Sequence, residues 1–343
     1  MTKQIKVLHL FDRYLPATES WSYNLIRHIP NVDIHIAARN YLKTPFYSKQ
    51  FSYVEHPYGA IEELSRSQNK RQLRGFFTKV YLKIGGLFWG HLKKQLQVYV
   101  QQQNIDLLHC HFAHTGWHFL DLKKTLSCPL IVSFYGWDYE KLPFTYPKYR
   151  AHYQKLFQAA DLFLCEGAHG QQLLVQMGCA AEKVAVQPLG VLPQEIPFTQ
   201  RAKSAHSLDL LQLASFTRKK GHIYTVKAFE KALTTCPNMR LTLIGDEREE
   251  GIKEKVEKYI KANALSQHIQ IRPAIDYQQL HQCLQDYQVF IHPSCYTEDR
   301  DCEGGAPIVL LDAQASGMPI IATRHCDIPA EVAHGQSGLL ADE

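Results

Sequence analysis

The chain has 343 residues, 45% hydrophobic and 21% charged, enough to bury two domain cores and unlike a disordered segment. Its 38 Lys and Arg against 33 Asp and Glu leave a net charge of +5, a mild bias that suits anionic partners; nucleic acid is not expected among them. Nine cysteines, odd in number and without any C-x-x-C, argue against a disulfide framework and a structural zinc site, and for a reducing cytoplasm.

Residues 1–10 carry charges inside a strand-like run, so they do not read as a signal peptide, and no apolar run reaches membrane-span length. Short apolar runs alternate with helical patterns, the signature of parallel α/β structure. Strands are predicted at residues 5–11, 32–37, 106–110, 130–134, 162–165 and 184–187. A second series is predicted at 208–214, 240–244, 269–271, 289–292 and 319–322. Between the two series, residues 192–204 carry two prolines and then polar side chains, a linker pattern. Two domains follow, 1–195 and 205–343.

Residues 66–94 interleave Lys70, Arg71, Arg74, Lys79, Lys83, Lys93 and Lys94 with aromatic and aliphatic side chains. Such a segment suits either an anionic membrane surface or a helix covering the sheet.

The most informative stretch is 295–340. Gly304 and Gly305 form a bare-backbone turn, Pro307 suits the first position of a helix, residues 308–316 have helical character, and Gly317 fits a left-handed stop. A glycine turn feeding a helix leaves N–H groups and the positive dipole end for an anion such as phosphate. The competing reading is a βα unit whose loop binds nothing.

Glu303-Gly304-Gly305-Ala306-Pro307, followed by Asp312-Ala313-Gln314-Ala315-Ser316-Gly317-Met318-Pro319, resembles the donor-binding segment of the family 4 retaining glycosyltransferases. The likeness extends to Ile328-Pro329-Ala330-Glu331 and Gly338-Leu339-Leu340. It also covers Asp106-Leu107-Leu108-His109-Cys110-His111-Phe112, Ser133-Phe134-Tyr135-Gly136-Trp137-Asp138, and the Lys183, Pro188 and Gly190 pattern. Pro16-Ala17-Thr18-Glu19-Ser20 resembles a loop of relatives that build exopolysaccharides, colanic acid among them. Departures are Asp312 for the family Glu, one extra residue between the two acids, Ser215 at the family Arg, and Tyr135 at a usual His.

The resemblance implies the GT-B fold, α/β with two Rossmann-like doubly wound domains facing a central cleft, the acceptor in the first and the donor in the second. It implies a retaining hexosyltransferase that uses a nucleotide-diphosphate sugar, a glycan or lipid-linked acceptor and no cofactor, in cell-surface polysaccharide synthesis. Lys220 matches the family's phosphate-clamping Lys, and Arg218 is the candidate replacement for the missing Arg. Glu303 would touch sugar hydroxyls, Gly304, Gly305 and Ala306 would hold phosphate, and Asp312 would bind ribose.

His111, nearer its strand's C-terminal end than His109, is placed with Asp138 in the catalytic set, because ligand crevices lie at such ends. A packed, hydrogen-bonded role competes for both histidines. Asp299-Arg300-Asp301 is formally a D-x-D, a metal motif of another glycosyltransferase fold. Lys220 and the glycine turn already supply positive charge, so no metal is expected. The chain ends at Glu343, soon after Gly-Leu-Leu, where such enzymes usually continue, so the second domain reads as truncated. The enzyme is expected in the cytoplasm, peripheral at the inner face of the membrane. A non-catalytic nucleotide-sugar-binding relative and an epimerase of the same fold are the competing functions.

Overall fold

A computed structural model describes residues 4–15, 20–41, 51–54, 90, 92–201 and 208–343. Seven strands form one sheet: β1 (Ile5–Tyr14), β2 (Val32–Tyr41), β3 (Ser52–Val54), β4 (Leu107–His111), β5 (Leu130–Ser133), β6 (Leu162–Cys165) and β7 (Val184–Val186). Six form another: β8 (Leu208–Leu213), β9 (Met239–Ile244), β10 (Ile269–Arg272), β11 (Val289–His292), β12 (Ile320–Thr323) and β13 (Gly338–Ala341).

The orders are β3-β2-β1-β4-β5-β6-β7 and β10-β9-β8-β11-β12-β13. Each sheet starts at an inner strand, winds outward one way, then crosses over and winds the other way. β8 pairs in parallel with both β9 and β11, and β1 with both β2 and β4. The strand order therefore reverses between β1 and β4 and between β8 and β11, where doubly wound sheets open their ligand crevices.

The apolar runs that predicted these strands also build the core. On β8, Leu210 faces one cluster and Leu211 another, and Phe290 and Ile291 split in the same way on β11. Period-2 alternation sends successive side chains to opposite faces, and helices cover both. Leu211, Phe290, Leu310, Met318 and Ile320 pack one face; Leu210, Val226, Phe229, Leu241 and Ile291 pack the other. In the first sheet, Phe11, Tyr14, Ile26 and Ile36 form a comparable cluster.

Three features differ from the sequence reading. β1 and β2 run three and four residues past their expected ends, in register from Ile5 opposite Val32 to Tyr14 opposite Tyr41. The charged residues Asp12, Arg13 and Arg39 interrupt the apolar pattern there but not the ladder. β3 and β13 lie outside the predicted strand spans. Both are short edge strands, and Leu339 of β13 is largely exposed. Pro307 is the N-cap of the helix Ile308–Ala315 rather than its first helical residue, with φ −62° and ψ 122°.

The chain forms two compact units, one of residues 1–134, 148–164 and 175–185, the other of 135–147, 165–174 and 186–343. Residues 192–201, expected to belong to a linker, pack within the second unit. Ile196 is buried, the Thr199 N–H donates to Ser316 O at 3.0 Å, and the Arg201 guanidinium donates to main-chain oxygens of Leu284 and Tyr287. Polar composition reads as a linker, but the guanidinium satisfies the Leu284 carbonyl at the end of the helix Tyr277–Leu284 and the Tyr287 carbonyl just beyond it. Residues 202–204 of that stretch, residues 16–19 and most of 66–94 lie outside the described residues. No helix among the described residues is long and apolar enough to cross a membrane.

Candidate donor site

The second unit gathers charged side chains at the carboxyl ends of β8 and β11. After β8 the chain makes a 3-10 turn, Arg218–Lys220, that stops at Gly221 with φ +65°. A Cβ at Gly221 would collide with the carbonyl of Pro293, so only glycine lets this turn press on the segment after β11. The buried Gln212 side chain donates to Lys220 O at 2.7 Å, and the Cys295 N–H donates to Lys219 O at 2.9 Å. Both lysines thus leave a backbone pinned at two points.

Lys220 Nζ lies 2.7 Å from Glu303 Oε2. Ser294 Oγ donates to Glu303 Oε1 at 2.8 Å, and His292 Nε2 is 3.8 Å from the same oxygen. Burial alone would push the Glu303 carboxyl up, but the ammonium groups of Lys220 and Lys219 outweigh it and hold the carboxyl well below the usual range. Burial draws the Lys220 ammonium down, with Glu303 opposing. Each group of the pair faces the other as a compensating partner at 2.7 Å.

The glycine turn follows directly. Gly304 has φ +83°, and a Cβ there would collide with the backbone of Gly136, itself at φ +35°. The two turns meet backbone to backbone, which explains why glycine stands at both. Gly305 sits against Glu166, whose carboxyl is pushed well up by desolvation and by the nearby charges of Asp138 and Glu331. The glycine turn thus adjoins the Lys220–Glu303 ion pair through residue 303 and the raised Glu166 carboxyl through Gly305.

The remaining predicted site residues are placed as follows. Arg218 binds Glu249 and, at 3.0 Å, Asp299. Ser215, at the family Arg position, donates to Asp246 Oδ1 at 2.9 Å. Asp138 is fully buried and accepts the Tyr135 N–H at 2.7 Å, closing the turn that carries Gly136. Asp312 is 1% exposed and lies 2.9 Å from His281 Nε2. The D-x-D acids are engaged by cations: Asp301 by Lys141 at 2.8 Å and Lys219 at 3.2 Å, Asp299 by Lys141 and Arg218.

His111 belongs to the first unit, at the end of β4. It is fully buried, its Nε2 lies 3.0 Å from His9 Nδ1, and its ring stacks on Phe11 at 4.2 Å. His109 Nε2 bonds Ser133 Oγ at 2.8 Å. Nitrogen atoms of His9, His109 and His111 lie within 4.8 Å of one another, the group among the described residues with metal-ligand composition. In this structure His9 and His111 face each other as a hydrogen-bonded pair, and His109 stacks on His111 at 4.3 Å.

Sequence reasoning missed Lys219, Ser294, His292 and His325. Lys219 read as part of a solvated basic loop. His292 ends β11, so the strand-end argument that selected His111 would have found it. Ser294 and His325 carried no signal, since only the folded chain brings them to Glu303.

Two families match the chain in tandem: Glycosyltransferase Family 4 over residues 16–195 and Glycosyl transferases group 1 over residues 195–343. The chain belongs to glycosyltransferase family 4. Among relatives of this family 4 chain, the amylovoran biosynthesis glycosyltransferase AmsK of Erwinia amylovora is 26% identical over 69% of this chain and 58% of its own length. WcaL of Salmonella typhimurium, whose name assigns it to colanic acid biosynthesis, is 29% identical over the same shares. The chain thus spans less than two thirds of these relatives.

Among solved structures, Anabaena HepE in complex with UDP and glucose aligns with a TM-score of 0.69 at 13% identity, covering 98% of this chain and 86% of HepE. A glycosyltransferase from Rickettsia africae gives 0.73 at 13% identity, covering 99% and 84%. At these identities the likeness is one of fold, the GT-B class with two Rossmann-like domains.

Proposed function

We propose that this chain is a retaining glycosyltransferase that moves a hexosyl group from a nucleotide-diphosphate sugar to a glycan or lipid-linked acceptor in cell-surface polysaccharide synthesis. The observation that carries the reading is the buried Lys220–Glu303 pair beside the Gly304–Gly305 turn, at the strand-order reversal of the second sheet. The relatives named for amylovoran and colanic acid synthesis, and the UDP and glucose bound to HepE, support the substrate class.

The reaction breaks the bond between the anomeric carbon and the diphosphate oxygen and forms one to an acceptor hydroxyl oxygen. The acceptor's proton passes to the departing diphosphate. Negative charge grows on that diphosphate as the sugar becomes oxocarbenium-like. Lys220 and the N–H groups of Gly304, Gly305 and Ala306 stabilise the leaving charge electrostatically, with Lys220 shared between the diphosphate and Glu303. Glu303 accepts hydrogen bonds from sugar hydroxyls and orients the ring. Asp312 accepts from ribose hydroxyls, with His281 fixing its carboxylate. His111 and Asp138 serve the acceptor side and the turn at Gly136. Arg218, tied to Glu249 and Asp299, reaches the diphosphate only by exchanging those partners. No cofactor is required, because a divalent ion would duplicate charge that Lys220 and the helix start already provide.

A thermal-shift screen of UDP-, GDP- and ADP-sugars, followed by a transfer assay, tests the reading, since a ligand of the folded state raises the melting temperature. A stabilising nucleotide sugar and transfer with retention are expected. Nucleotide binding with no transfer to any acceptor would instead favour a non-catalytic relative, which Ser215 in place of the family Arg supports. Epimer formation without acceptor would point to an epimerase.

A further inference from the structure

The main-chain N–H of Glu303 points at the ring of His325, 3.1 Å from Nε2. A backbone N–H can only donate, so Nε2 is the acceptor and the proton of the neutral ring sits on Nδ1. Nδ1 in turn lies 2.7 Å from Glu343 Oε1, which accepts that proton, and Glu343 Oε2 accepts the Tyr296 N–H at 2.8 Å. The His325 side chain is fully buried, with the Tyr296 ring edge-on at 5.0 Å. The Cys326 thiol lies 3.2 Å from the same Nε2, a second donor to one acceptor.

We propose that His325 is a positioning residue for Glu303, locked by Glu343 in the Nδ1–H tautomer. In that form it fixes the backbone from which the Glu303 carboxylate reaches Lys220 and Ser294 and from which the Gly304 turn starts. The opposite tautomer would set an N–H against the Glu303 N–H, two donors facing each other, and would push residue 303 away. The inference rests on the reading of Glu303 as the group that meets the donor sugar. His325 itself bonds the main chain of residue 303 and not its carboxylate, so its effect on transfer passes through Glu303.

Nitrogen-15 NMR of the imidazole in the intact protein tests the tautomer without any ligand: a protonated Nδ1 and an unprotonated Nε2 are expected, and an Nε2–H ring overturns the proposal. Two variants then separate positioning from bulk structure. In His325→Gln the amide oxygen reaches the Nε2 position and can still accept the Glu303 N–H. In His325→Asn the amide ends near the Nδ1 position, keeping Glu343 but leaving that N–H without an acceptor. With UDP-glucose, GDP-mannose or ADP-glucose, whichever the parent turns over, kcat should fall about tenfold or more in His325→Asn. It should stay within about threefold in His325→Gln, a rescue by the variant that keeps the acceptor for the Glu303 N–H. Equal kcat in parent and both variants overturns the proposal. A parent that transfers from no donor defeats the transferase reading instead, and the NMR result then decides the tautomer and the Glu303 contact by itself.

Discussion

Lys220 Nζ and Glu303 Oε2 meet at 2.7 Å with side chains only 19% and 6% exposed, so each charge depends on the other. Removing one partner of such a pair leaves an uncompensated buried charge, which costs about 3–5 kcal/mol. Lys220→Ala should therefore lose most turnover and also lower the unfolding midpoint in urea. The double variant Lys220→Met, Glu303→Gln should regain stability but not turnover. Full turnover in folded Lys220→Ala would take this lysine out of the site.

Asp312→Asn keeps shape but removes the charge that faces His281 and, on the proposed reading, a ribose. Binding of a free nucleoside diphosphate should weaken along with binding of the full nucleotide sugar, by about 1–3 kcal/mol in calorimetry. A loss confined to the full donor would assign Asp312 to the sugar.

Several buried histidines set the acid limit of stability. Burial is the leading cause that lowers His9, His109, His111, His222 and His292; His109 falls to about 4 and His222 to about 3, from an ordinary 6.5. The unfolded chain takes up these protons first, so stability is present above pH 6.5 and is lost as pH falls from there toward 4 and 3. Urea midpoints should drop steadily between pH 7 and 5. His222→Phe, which preserves the stacking on Phe216, should flatten that slope. A midpoint independent of pH would contradict the burial of these rings.

Glu331 works in the opposite direction. Desolvation first, then the charge of Asp327, raises its carboxyl from 4.5 to about 7. The folded state holds this proton more tightly, so its contribution falls as pH rises from 4.5 through 7. Glu331→Gln should raise stability above pH 7, by at most roughly 3 kcal/mol, and change little near pH 4. Denaturation curves at pH 4 and 8 check it.

Asp299 and Asp301 are held by Lys141, Lys219 and Arg218, so a divalent ion would have to displace three cations to use them. Transfer should persist in excess EDTA. Loss of turnover on chelation, restored by Mn²⁺ or Mg²⁺, would make these acids ligands.

The parallel α/β class and most of the strands are legible in the order of residues, because a strand buried on both faces must be apolar along its length; Val289–His292 and Leu162–Cys165 coincide with their predicted spans. The sequence also marked the glycines, since Gly304 and Gly317 take positive φ that other residues resist. It could not determine what the charged side chains meet. Arg218 and Lys220 stand two apart in one basic run, yet one turns to Glu249 and Asp299 and the other to Glu303. His325 reaches Glu303 across 22 positions and Ser294 across 9, contacts with no local signature. Apolar burial follows a period written along the chain. Charge pairing depends on which loops the crossovers bring together, and that is set by the folded chain as a whole.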